Sequence, residues 1–137
     1  MKQSYLFFAV ALFLLSSSCS PKIQFLRSTA VPAAEGKINI KKDKNDNYKL
    51  SIHVIHLAKP QDLPIPAQVY VVWMETPGND VKNLGQLKSG SNLLNRALTA
   101  SLETVTTFEP DRIFITAEAD PATTYPTGQE ILTTGGI

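Results

Sequence analysis

The chain has 137 residues, with 13 lysines and arginines, 12 aspartates and glutamates, and a single cysteine. Apart from one lysine-rich stretch, its near-neutral charge does not suggest electrostatic attraction to nucleic acid or to an acidic lipid surface, so no nucleic-acid partner is predicted. One cysteine excludes an intramolecular disulfide, and the length fits one globular domain.

Residues 1–18 have the layout of a secretory signal peptide. Lys2 supplies a positive charge, and an apolar run follows from Tyr5 to Leu15. A bilayer-spanning helix needs about 20 apolar residues, so this run is too short to remain as a transmembrane helix. We therefore expect the chain to be exported.

The single cysteine, Cys19, follows three serines. The stretch Leu15-Ser16-Ser17-Ser18-Cys19 resembles the bacterial lipobox, in which small residues precede a cysteine that is acylated and becomes the new N-terminus. The resemblance implies lipidation of Cys19 and a stable membrane anchor, because two or more acyl chains hold a protein firmly. The alternative is an ordinary signal peptide, since Ser16 and Ser18 also satisfy a small-x-small cleavage rule.

Residues 19–35 are predicted to be the lipidated N-terminus and a tether, and residues 36–137 the folded domain. Serine, proline and alanine dominate the tether, as in flexible linkers. The alternative is that Ile23, Phe25 and Leu26 pack as an irregular edge segment.

The remainder consists of short apolar runs separated by turn residues, which is typical of β-structure. Lys37–Lys41 and Tyr48–Leu57 alternate strictly, so they predict a hairpin closed by the polar turn Asp43–Asn47. Gln68–Met74 is apolar on both faces and predicts a central strand covered on each side. Further strands are predicted at 81–87, 93–102, 112–118 and 129–133.

About seven strands with few helix signals predict an all-β fold, an antiparallel immunoglobulin-like β-sandwich. Three prolines make Pro60–Pro66 a loop, and Ser89–Asn92 reads as a turn. One alternative stays open at Leu93–Leu98, which could begin a short helix.

Several later segments share their order and spacing with one protein family. These are Val69–Trp73, Asn83–Leu87, Ile113–Glu118, Asp120–Ala122 and Pro126–Leu132. Residues 36–135 thereby resemble the C-terminal extracytoplasmic domain of the anti-sigma-K factor family. The resemblance implies a sandwich outside the cytoplasm with a sensory or interactive role. Those proteins also carry a sigma-binding domain and a transmembrane helix, which a lipid anchor would replace here, so sigma-factor inhibition is not implied.

Two patterns could hold a metal, and neither is favoured. His53 and His56 have an odd separation, which places them on opposite faces of a regular strand. Asp43-x-Asn45-x-Asn47 copies the opening of a calcium loop but lacks the required glycine and bidentate glutamate. No metal site and no cofactor are therefore predicted.

Two aromatic residues are candidate ligand contacts. Trp73 shares a strand face with Val69 and Val71, which favours a core position, and its alternative role is a stacking platform. Tyr125 lies between Thr124 and Pro126 and is expected to be exposed in a binding loop.

Five lysines crowd the predicted hairpin, at positions 37, 41, 42, 44 and 49. They could contact anionic headgroups or a polysaccharide. A solvated, aggregation-resistant sheet edge is the favoured interpretation.

No nucleophile elbow, phosphate-binding glycine loop or His-Glu-x-x-His motif is present in the sequence. We therefore predict a non-enzymatic protein, anchored by lipid in a bacterial cell envelope and facing the periplasm or exterior. Its sandwich would bind or sense an envelope protein or glycan. The alternative is a small envelope hydrolase or carbohydrate-active domain.

Overall fold

The computed structural model describes residues 20–90 and 98–137. These residues form nine β-strands and one 3-10 turn, Pro60–Asp62. The strands are β1 (Lys22–Gln24), β2 (Glu35–Lys42), β3 (Tyr48–Leu57), β4 (Val69–Glu75), β5 (Val81–Gln86), β6 (Lys88–Gly90), β7 (Leu98–Thr106), β8 (Arg112–Glu118) and β9 (Gln129–Thr133). The predicted signal peptide, Cys19 and the start of the predicted 93–102 strand lie outside the described residues.

The strands build two antiparallel sheets. Sheet A has the order β1-β2-β3-β7-β6, and sheet B has the order β5-β4-β8-β9. Without β1, sheet A reproduces the A-B-E-D order of an immunoglobulin domain and sheet B its C′-C-F-G order. The predicted all-β sandwich is confirmed. Two strands, β1 and β6, were not predicted because three residues are too few to display a period of two. The predicted turn at Ser89–Asn92 is wrong at Ser89 and Gly90, which pair with β7 as part of β6.

The main core lies between the two sheets. On β3, Leu50, Ile52 and Val54 are buried while the residues between them are exposed, as the alternation predicts. Each such aliphatic side chain contributes about 1.5–3 kcal/mol when fully buried. In β4 the residues from Tyr70 to Met74 are all buried, which confirms the prediction of a strand covered on both faces.

The segment before residue 36 is part of the fold. Lys22 pairs with Asn39 in β2, and the Phe25 amide donates to the Gly36 carbonyl at 3.0 Å. Phe25 also packs against the main core. This segment thus follows the packed edge alternative rather than the tether interpretation, because Ile23 and Phe25 pack against the core and Val31 is buried, while Leu26 stays exposed.

The same segment then crosses to the other sheet. The Leu26 amide donates to the Thr133 carbonyl of β9 at 2.8 Å. The Ser28 hydroxyl donates to the Ile131 carbonyl at 2.5 Å and accepts a hydrogen bond from the Val31 amide at 2.9 Å. One stretch of chain therefore ties the β2 side of sheet A to the β9 edge of sheet B.

The sandwich has two distinct ends. The β2–β3 turn (43–47), the β4–β5 turn (76–80) and the β7–β8 connection (107–111) lie at one end, here called the hairpin end. The crossing segment leads into β2 at the opposite end, together with the β3–β4 and β8–β9 connections.

Candidate functional site

A groove of about 750 Å³ opens where the N-terminal segment leaves sheet A. Its lining comes from that segment and from the adjoining ends of β2 and β3. The lining residues are Gln24, Phe25, Leu26, Arg27, Pro32, Ala34, Glu35, Gly36, Lys37, His53 and Ile55.

Strand register places four of these side chains on the outer face of sheet A. Glu35 pairs with Ile55, and Lys37 pairs with His53. Successive residues of a strand point to opposite faces, so these two pairs lie on the same face. Gly36, which lies between Glu35 and Lys37, faces inward. The groove floor is therefore specified by the hairpin that the alternating pattern predicts.

Gly36 makes room for the groove wall. A Cβ atom at this position would lie 2.5 Å from Cδ2 of Phe25 and 3.2 Å from a methyl carbon of Val54. The Phe25 ring occupies this space, so glycine is required for the crossing segment to lie close to β2.

The groove lining combines charged and apolar side chains. Arg27, Glu35, Lys37 and His53 are exposed, and no hydrogen bond or ion pair joins them to one another in the described parts of the chain. Leu26 is 56 % exposed and offers uncovered apolar surface. Such a combination suits a ligand with an apolar body and an anionic group.

A hydrolase requires converging acid and base groups, and this groove provides little of that arrangement. His53 shares the lining with one carboxylate, Glu35, and among the residues that the structure describes no side-chain hydrogen bond orients either of them. Sequence reasoning did not identify Arg27 and Glu35 as site residues. In the sequence these two residues flank a stretch of mostly small residues, a pattern that does not differ from that of an ordinary polar linker.

Trp73 lies on the outer face of sheet B, away from the main core. It is fully buried in a small cluster with Val71 and Phe114, as its predicted shared face with Val71 requires. The neighbouring Tyr70 faces the main core instead, and its hydroxyl donates to the Ala58 carbonyl at 2.9 Å. In this structure the indole therefore presents no surface for stacking against a ligand.

A chain of hydrogen bonds runs from the indole to the β8–β9 loop. The Trp73 ring nitrogen donates to the Thr116 hydroxyl at 2.8 Å, which donates to the Glu118 carboxylate at 2.6 Å. Glu118 also accepts bonds from the Thr127 amide at 3.1 Å and the Thr127 hydroxyl at 2.8 Å. This chain fixes the base of the loop.

The β8–β9 loop, residues 119–128, covers the outer face of sheet B. Asn83 donates to the Thr123 carbonyl at 3.2 Å, and Gln86 donates to the Pro121 carbonyl at 2.8 Å. Both donors belong to β5, which is separated from β8 by β4, so the loop passes over β4. The loop accounts for the burial of an outward-facing tryptophan, and Tyr125 on it is 65 % exposed.

In the turn 43–47, whose sequence resembles the start of a calcium loop, the Asp43 carboxylate accepts hydrogen bonds from within the turn. Asp43 Oδ1 accepts the Asn45 amide at 2.8 Å and the Asn47 amide at 3.0 Å, and Oδ2 accepts the Asn47 side chain at 3.2 Å. These hydrogen bonds, those from Asn47 first, lower the pKa of Asp43. These polar residues therefore stabilise the turn between β2 and β3.

His53 lies just before an irregularity in β3, and His56 lies within it. Register shifts between Val54 and Leu57, where His56 has a φ of 55°. Both His53 and His56 are exposed. Within residues 20–90 and 98–137, no three histidine, cysteine or acidic side chains are grouped closely enough to hold a metal ion.

Comparisons with protein-family models, with curated proteins and with solved structures found no match. In the described ranges, no helix has the length and apolar character needed to span a membrane.

Proposed function

We propose that this chain is a lipid-anchored protein of a bacterial cell envelope whose sandwich is a non-catalytic binding module. The lipobox resemblance at Cys19 supports the anchor. The groove between the crossing segment and the β2–β3 hairpin supports the binding role, and it is the observation on which the proposal chiefly rests. The resemblance to an extracytoplasmic domain of anti-sigma-K factors is in keeping with an interactive role.

The chemistry of the groove favours a protein partner over a glycan. Glycan sites commonly use exposed aromatic rings as stacking surfaces, and here Trp73 is buried while Tyr125 lies on the β8–β9 loop, outside the groove lining. Exposed Leu26 beside Arg27 and Lys37 instead suits a peptide segment that carries an aliphatic side chain and a carboxylate. An acidic segment of another envelope protein is the partner class that we propose.

Photo-crosslinking in intact cells tests the binding role. A crosslinking amino acid replaces Leu26 in the groove or Val105 on β7, and both native side chains are 56 % exposed. We expect a discrete crosslinked protein adduct from position 26 and no protein adduct from position 105. The adduct should disappear with Lys37→Glu and persist with Lys88→Glu, a charge reversal outside the groove.

Equal adducts from both positions, or none from position 26, would contradict the binding role. An adduct that consists of glycan would replace the proposed partner class. The anchor is tested separately by metabolic labelling with an alkyne fatty acid, which should label the wild-type chain and leave Cys19→Ser unlabelled.

A further inference from the structure

The N-terminal end of β1 points towards the hairpin end of the sandwich. Lys22 pairs with Asn39 and Gln24 pairs with Lys37, so the chain followed backwards from Gln24 runs in the direction of β2. Two residues, Ser20 and Pro21, separate Lys22 from Cys19. The chain therefore enters β1 from the side of the last residues of β2.

The reach of this connection is short. Three residue steps join Cys19 to Lys22, which span at most about 11 Å when fully extended. The β2–β3 turn begins four residues beyond Asn39, or about 13 Å further along the strand. Acyl chains on Cys19 would thus hold the hairpin end against the membrane surface.

The surface held there is rich in exposed lysines. These are Lys22, Lys41, Lys42, Lys44 and Lys49. The acidic residues near them are Asp43, whose oxygens are engaged within the turn, and Asp46, which lies 3.4 Å from Lys42. Exposed Glu103 on β7 is the diagonal neighbour of Lys49, because it pairs with Ser51 on the same sheet face. We call these five lysines the lysine patch.

Protection of a sheet edge explains only part of the lysine patch. β1 covers Lys37–Asn39 and leaves the last residues of β2 as an open edge, where Lys41 and Lys42 discourage further strand pairing. Lys44 lies in the turn, and Lys49 lies on β3, which is paired on both sides at this position. Those two lysines protect no edge.

From this juxtaposition we infer that the lysine patch docks on anionic lipid headgroups of the membrane that holds the anchor. The inference rests on the proposed lipidation of Cys19. The connections next to sheet B carry acidic Asp80 and Glu109 at the same end, and Lys82 lies 3.8 Å from Asp80. An anionic surface therefore attracts the sheet A side more strongly than the sheet B side. The domain would then lie tilted, with its hairpin on the bilayer and its binding groove towards the opposite end.

Fluorescence quenching in proteoliposomes tests this orientation with the full, lipidated chain. Because Cys19 is the single native cysteine and is blocked by its acyl groups, a cysteine introduced by Asn45→Cys or Ile65→Cys is labelled alone. Position 45 is exposed at the hairpin tip, and Ile65 is 68 % exposed in the β3–β4 connection at the opposite end. The vesicles contain phosphatidylcholine with or without about one-third phosphatidylglycerol, plus a headgroup-linked quencher.

We expect quenching at position 45 and not at 65, in the vesicles with phosphatidylglycerol. Each lysine near an anionic surface raises the equilibrium constant for docking about fivefold. The triple substitution Lys41→Gln, Lys44→Gln and Lys49→Gln should therefore lower this constant well over tenfold. Salt near 1 M, where the screening length is about 3 Å, should also abolish the difference.

Four results would overturn the inference. Lipidated, vesicle-bound protein with no quenching at position 45 would refute docking while leaving the anchor intact. Equal quenching with and without phosphatidylglycerol would show mere proximity imposed by the anchor. A change in the fluorescence of the label at position 45 on addition of a soluble anionic polysaccharide, but not of vesicles, would show that the lysine patch binds another partner. An unmodified Cys19 in the mass spectrum, with protein in the aqueous fraction, would overturn the anchor and the docking together.

Discussion

Glu118 is a buried carboxylate whose charge should be measurable as folding stability. Its side chain is fully buried at the end of β8 and accepts hydrogen bonds from Thr116 and Thr127. Burial alone would raise the pKa of Glu118, but hydrogen bonds from Thr116, Gly128 and Thr127 outweigh it and lower the pKa below its ordinary value of 4.5. The group is therefore ionised at neutral pH.

Glu118→Gln keeps the size of the side chain and removes its charge. A hydrogen bond to a charged group contributes about 1.5–3 kcal/mol, against about 0.5–1.5 kcal/mol for a neutral pair. The three hydrogen bonds that the Glu118 carboxylate accepts from Thr116 and Thr127 would no longer go to a charged group. An amide NH₂ would also face the Thr127 hydroxyl in place of one carboxylate oxygen. Allowing for the burial cost that disappears with the charge, we expect a loss of about 2 kcal/mol. This corresponds to a decrease in Tm of roughly 8 °C for a domain of this size.

Urea unfolding and thermal melts at several pH values measure this effect, with Glu103→Gln on exposed β7 as the matched control. A depressed native pKa contributes stability above the unfolded pKa, and this contribution is lost as pH falls through the native pKa. The difference between wild type and Glu118→Gln should thus be largest near pH 7 and shrink below pH 4.5. A loss under about 0.5 kcal/mol, the range of ordinary surface substitutions, would refute the reasoning. So would a loss that does not change with pH.

Three further substitutions test separate parts of the fold. Gly128→Ala should cost at least about 3 kcal/mol in urea unfolding, because the added Cβ would collide with the Ala117 carbonyl oxygen; near-wild-type stability would contradict that packing. Trp73→Phe should cost about 2 kcal/mol by the same measurement, since it removes the bond to Thr116 and part of a buried ring. Strong acrylamide quenching of the wild-type tryptophan would show instead that the ring is not covered. Ser28→Ala should cost about 1–2 kcal/mol and speed proteolysis of the N-terminal segment, because it leaves a backbone donor without its acceptor; unchanged cleavage would argue against the bridge between sheets.

Alternation along the chain was enough to predict the β2–β3 hairpin and its buried face. Leu50, Ile52 and Val54 are inward because a strand repeats every two residues, which is a local property. The polar turn at 43–47 follows from equally local chemistry, as the Asp43 hydrogen bonds show. Strand existence and class could therefore be predicted without knowledge of long-range contacts.

The groove could not be predicted because it joins residues distant in sequence. Arg27 and Glu35 acquire a shared surface with His53 and Ile55 only when the crossing segment pairs with β2 and then with β9. No short-range sequence pattern predicts these contacts. The three-residue strand β1 in particular is stabilised by its partners and not by its own propensity.

The amino-acid sequence by itself determined the alternation of buried and exposed residues along the strands and the burial of β4 on both faces. Both follow from the order of polar and apolar side chains. Only the tertiary structure decided which face of β4 meets the main core. Trp73 and Tyr70 are both apolar enough for either side, and the choice depends on the loop that β5 holds across the outer face. Burial is a property of what lies opposite a side chain, and that partner is brought there by contacts many residues away.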